Sequence, residues 1–163
     1  MKRILSILSL SLVLACGSDD EGPSVVNAIE MNGEQFNVVS ATITGVAISG
    51  DGHAGISFTN SNNIGGGVTL TLDVEYDGTS QIKAGTYSFP QAEGDLHLDD
   101  WLSNYSSYDG QTFKSENLEE GTLTVEHLGG DRYSMKIDVI MVDGTTFSGE
   151  YQDDFLTGYN NQN

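Results

Sequence analysis

The chain has 163 residues and a formal net charge of −18, from 24 acidic residues against six basic ones. A surface so negative repels nucleic acid and anionic headgroups, which excludes nucleic-acid binding as a function class. One cysteine rules out a disulfide framework, and 20 glycines with only two prolines, beside many Thr, Val and Tyr, point to β-structure with tight turns.

Lys2 and Arg3 open the chain, and Ile4 to Ala15 is apolar except for Ser6, Ser9 and Ser11. That run is too short to span a bilayer, which takes about 20 apolar residues. It has the layout of a secretory signal peptide, so residues 1–15 are expected to be removed. Val13-Leu14-Ala15-Cys16 resembles a bacterial lipobox. The resemblance implies that Cys16 is diacylated on sulfur, becomes the first residue and is then acylated on its amine. Each buried methylene adds roughly 0.8 kcal/mol, so two or three acyl chains would hold a soluble domain on a membrane. Ser18-Asp19-Asp20-Glu21 resembles the acidic export signal of surface-exposed Bacteroidota lipoproteins. It implies an outer-membrane location facing the cell exterior; the alternative is a solvated acidic linker. Residues 16–24 are expected to be a flexible tether, 25–156 a single β-domain and 157–163 a frayed polar tail.

Along the domain, Asn32-Gly33 marks a two-residue hairpin turn, since Asn-Gly supplies the positive φ angles such a turn needs. The following strand changes phase. Phe36 and Val38 fit one face, and Val39, Ala41 and Ile43 the other, as in a β-bulge or a strand buried on both sides. Asp51-Gly52 reads as the next turn and 60–67 as an Asn- and Gly-rich loop. Val68, Leu70, Leu72, Val74 and Tyr76 alternate cleanly with polar residues, a strand signal. A short strand is expected over 85–90. Residues 91–120 are irregular and read as a short strand, then a long loop. The last third reads as three strands joined at Gly129-Gly130 and Asp143-Gly144, an antiparallel meander. Together these predict an all-β fold of about nine strands: an antiparallel β-sandwich, with a closed calycin-like β-barrel as the alternative.

Asn32 to Phe36, Ala84 to Tyr87, Gly121 to Val125, Asp131 to Asp138 and Asp143 to Tyr151 recur in this order. The set is similar to a loose group of small Bacteroidota lipoproteins. That resemblance covers nearly the whole mature chain and implies a surface-anchored β-domain; it carries over no catalytic residue.

His53, His97 and His127 are far apart in sequence, so a zinc site is not expected. For calcium, the densest carboxylates are Asp95, Asp99 and Asp100. There is no Gly-x-Ser-x-Gly elbow, and Gly65-Gly66-Gly67 lacks a following lysine. No catalytic constellation emerges and no enzyme is expected. Residues 95–113 stand out for aromatics among carboxylates and amides. Asp99, Asp100, Trp101, Asn104, Tyr105 and Tyr108 are the candidate ligand-binding residues, for a glycan, peptide or partner protein. The reading preferred for the rings themselves is that Trp101 and Phe113 fold inward and plug one end of the sandwich. The expected function is therefore a non-enzymatic binding or accessory lipoprotein, with an adhesin or assembly subunit acting through strand pairing as the other reading.

Cys16→Ala in the full-length chain is expected to move the protein from the membrane to the soluble fraction, as read by fractionation and immunoblotting. Full retention in the membrane would contradict the anchor.

Overall fold

The computed structural model describes residues 25–48, 51–61 and 66–162. Cys16 and the whole of 1–24 lie outside the described residues. The described chain is all-β. Three two-residue strands come first: β1 (Val26–Asn27), β2 (Glu30–Met31) and β3 (Glu34–Gln35). Then follow β4 (Ser40–Ile48), β5 (Asp51–Ser61), β6 (Gly67–Glu75), β7 (Gly85–Phe89) and β8 (Leu96–Tyr108). The chain ends with β9 (Phe113–Gly129), β10 (Arg132–Met141), β11 (Thr146–Asp154) and β12 (Leu156–Gln162).

All twelve belong to one curled mixed sheet. Its backbone is an antiparallel meander β4-β5-β6-β8-β9-β10-β11, with β7 laid between β8 and β9 along part of their length. β12 then returns parallel to β4, from Leu156 opposite Thr42 to Gln162 opposite Ile48. The alternation expected from sequence sets the faces. Ile43, Ile56, Phe58, Leu70, Leu72, Leu123, Met135 and Ile137 are buried in a single core, and the polar residues between them face out.

The first half and the last third are brought together by aromatic rings. Phe58 on β5 meets Tyr151 on β11 edge-to-face at 5.6 Å, and both meet Phe155, at 5.9 and 5.5 Å. Tyr133 on β10 completes the cluster at 5.6 Å from Phe155. Beyond Phe155, Tyr159 stacks on Tyr76 with centroids 5.4 Å apart. Gly45 makes that stack possible: a Cβ there would lie 2.5 Å from the Tyr159 ring.

Several expectations change. Among the described residues there are twelve strands rather than nine, because β1 to β3 are short fragments and the C-terminal segment is itself a strand. Residues 156–162 are paired with β4 and are not a frayed tail; the apolar contacts of Tyr159 outweigh the polar character of the segment. Asp51 and Gly52 pair with Ile48 and Ala47, so both belong to β5 rather than to a turn. The Asn32-Gly33 hairpin is present, with φ of 54° and 78°. The phase change after Phe36 is a break in pairing over 36–39, which leaves Phe36 and Val38 buried and Val39 exposed. The expected long loop within 91–120 is instead a long hairpin, β8 and β9 turning at 109–112.

The odd spacing within β8 hid that hairpin. Leu98 and Tyr105 both face the core, yet they stand seven positions apart, which a period of two does not allow. A bulge corrects the phase: Asp73 opposes Asp99 and Thr71 opposes Asn104, so Asp100 to Ser103 are set against Leu72 alone.

Phe155→Ala should lower stability by roughly 3–5 kcal/mol, as for other buried large-to-small changes. Ending the chain at Phe155 should also lower the denaturation midpoint; an unchanged midpoint for that truncation would mean that β12 contributes nothing.

Candidate functional site

The candidate residues cluster on β8, and the bulge determines where they point. The Asp99 carboxylate lies on the outer face and accepts a hydrogen bond from the Leu102 N–H at 2.7 Å. The loop of the bulge therefore rises over the outer face. Trp101 at its apex is 78% exposed, and Leu102 beside it is exposed too. Beneath, the buried Ser103 Oγ accepts from the Asp73 N–H at 2.8 Å. Asn104 donates to the Leu102 carbonyl at 3.0 Å. Asp100 is half-buried in the bulge. Asp99, Asp100, Trp101 and Asn104 thus form one patch.

Asp73, opposite Asp99 at the edge of the bulge, is buried. Its carboxylate accepts a hydrogen bond from His53 Nδ1 at 2.7 Å. Burial pushes the Asp73 carboxyl up from its ordinary value, and the His53 hydrogen bond opposes that rise. Serine, histidine and aspartate are all here, but they do not make a nucleophilic triad. Ser103 Oγ bonds the backbone of Asp73 rather than the imidazole and is fully buried. This polar group was not legible in the sequence. Asp73 occupies an outward position of a regular strand, where a carboxylate is ordinarily solvated.

Tyr105 departs from expectation. It is 2% exposed, packs on Phe147 and cannot touch an external ligand. Its hydroxyl donates to Asp143 Oδ2 at 2.7 Å. Lys114 pairs with the same carboxylate and sits 5.5 Å above the Tyr105 ring. The Lys114 ammonium, first, holds the Asp143 carboxyl well below the usual carboxylate range, with help from Tyr105 and the Thr145 N–H. Asp143 in turn raises the Lys114 ammonium above its ordinary value. The group ties the tip of the β8–β9 hairpin to the β10–β11 turn.

Tyr108 lies at the far end of β8, directly opposite Phe113. They are 44% and 69% exposed, so Phe113, like Trp101, does not fold inward. Tyr108 also borders an open cleft of about 480 Å³ at this end of the sheet, whose floor includes Met31, Phe36 and Val68. Five positions of β6 separate the level of the bulge from the level of Tyr108, roughly 17 Å at the rise of a strand. The structure therefore splits the expected set: one patch around Trp101, one aromatic pair at Tyr108, and Tyr105 in the core.

Among the described residues, no group of three or more His, Cys, Asp or Glu is placed to hold a metal ion.

A scan against protein-family models finds no match, and searches of curated proteins and of solved structures find none. The class that fold and site define is an all-β protein whose curled sheet carries an exposed aromatic bulge on its outer face.

Because the folded Asp143 carboxyl titrates below its ordinary value, its stabilising contribution is present at neutral pH. It is lost as pH falls below about 4. Asp143→Asn should lower the melting temperature at pH 7, and the gap to the wild type should narrow progressively as pH falls below about 4, because the folded carboxyl stays ionised well below the usual carboxylate range. A gap that persists unchanged at pH 3 would contradict the ionic role.

Proposed function

We propose that this chain is a lipoprotein held on the outer membrane by acyl chains on Cys16 and facing the cell exterior. Its β-domain acts as a non-enzymatic binding module, with Trp101 as the principal contact. The observation that carries this reading is the exposure of Trp101, at 78%, on a bulge whose base is buried and hydrogen-bonded. A large aromatic held out on a rigid support offers contact area at small entropic cost. The acidic surface suits display away from an anionic membrane. Ligands at this level are a glycan, a peptide or a partner protein.

The second reading is assembly through strand pairing. It is favoured by β12, a seven-residue strand at the edge of the sheet.

Trp101 is the only tryptophan, so its fluorescence reports the site directly. In the full-length protein in micelles, emission should be red-shifted, readily quenched by acrylamide and altered by ligand. Trp101→Ala should weaken binding roughly tenfold or more and leave stability within about 0.5 kcal/mol of the wild type. Blue-shifted, protected emission would contradict the reading. Self-assembly blocked by proline in β12, with no role for Trp101, would favour strand pairing.

A further inference from the structure

We propose that the outer face of β5, β6, β8 and β9 binds an extended, uncharged glycan laid along β8, between Trp101 and the Tyr108–Phe113 pair. The inference rests on the binding reading above and adds the ligand class and a second contact point.

Strand register builds the track. Ser57, Thr71, Asn104 and Asn117 stand side by side across four strands. The next rung toward Tyr108 is Thr59, Thr69, Ser106 and Ser115. All eight lie opposite the core-facing positions, because Ile56, Phe58, Leu70 and Tyr105 between them are buried. Every one is a neutral hydroxyl or amide. In a chain with 24 acidic residues, such a strip offers neutral hydrogen-bonding groups, which suit an uncharged polar ligand. Pairs of these side chains hold one another: Ser57 and Thr71 hydroxyls are 3.0 Å apart, Thr59 and Thr69 hydroxyls 3.2 Å. Each hydroxyl keeps further donor or acceptor capacity, which matches a polyhydroxyl chain.

The ends are aromatic. Trp101 stands over one end, and at the other Tyr108 and Phe113 are a directly opposed cross-strand pair. The roughly 17 Å between them, at the rise of a strand, suits an oligosaccharide rather than a single ring. The flat C–H face of a sugar can stack on each platform while its hydroxyls meet the strip.

Other ligand classes fit less well. A peptide would add to an open edge, but β5, β6 and β8 here are paired on both sides and offer only side chains. A protein interface would want a continuous apolar centre, and this face separates its aromatics by a polar strip. A polyuronate would meet the net charge of −18.

The test uses the full-length protein in a sugar-free detergent. Neutral β-glucan, mannan and starch oligosaccharides, from mono- to hexasaccharide, are titrated by calorimetry and Trp101 emission, beside polyuronates. At least one neutral series should bind, with affinity rising about tenfold or more with chain length and the polyuronates silent. Trp101→Ala and Phe113→Ala should each weaken the longest chain roughly tenfold, with unchanged melting. Thr69→Val tests the strip between them and should weaken it as well. If a peptide or protein shifts Trp101 emission and no neutral glycan does, the track is overturned and binding at Trp101 stands. The same holds if glycan affinity is indifferent to chain length and to Phe113→Ala. A ligand that binds equally well to Trp101→Ala overturns both.

Discussion

The fold depends on Phe155. It sits where the chain leaves β11, and its ring touches β5, β10 and β11 neighbours at once, through Phe58, Tyr133 and Tyr151. Its N–H donates to the Asp131 carbonyl at 2.8 Å, which sets the direction of the exit. From there β12 is aimed at β4 rather than at solvent. A twisted sheet curls, but curling alone leaves two free edges. One buried ring at the crossing point turns the last strand toward the first long one and encloses the core. The Tyr76–Tyr159 stack over Gly45 continues that closure.

The N-terminal fragments respect the same geometry. Ala28 and Ile29 pass so close to Gly149 that a Cβ there would lie 2.1 Å from the Ala28 carbonyl oxygen. Gly149 also has φ of +125°, a region that side chains disfavour. One glycine thus lets β1 and β2 lie against β11, and the chain enters the domain next to the strand by which it closes.

The candidate site is a by-product of packing that has acquired a shape. β8 must bury Leu98 and Tyr105 on the same face, and the extra residues between them have nowhere to go but outward. Ser103 beneath and Asp99 beside the bulge fix its loop, so Trp101 is exposed without being loose. Beside the bulge, Asp73 is buried while its partner His53 remains exposed. At the other end of β8, the Tyr105–Asp143–Lys114 group pins the hairpin that carries Tyr108 and Phe113.

The sequence by itself determined the fold class and most of the strands. The alternation from Val68 to Tyr76, the Asn32-Gly33 turn and the Gly129-Gly130 and Asp143-Gly144 junctions are local signals, and local chemistry fulfils them. It also singled out residues 95–113, where aromatics and polar groups are mixed. It did not reveal the β8–β9 hairpin, because a bulge resets the period and the register that explains it lies on β6, some thirty positions away. Nor did it separate Tyr105 from Trp101 and Tyr108: in sequence all three are aromatics among polar residues, and only the pairing of β8 with β6 and β9 decides which face each takes. The paired role of 156–162 was equally hidden, since a polar segment becomes a strand only when a partner edge and a ring stack await it. Periodicity and turn chemistry are written in neighbouring residues. Facing, closure and the position of the site depend on contacts between distant ones, and those exist only once the sheet has curled.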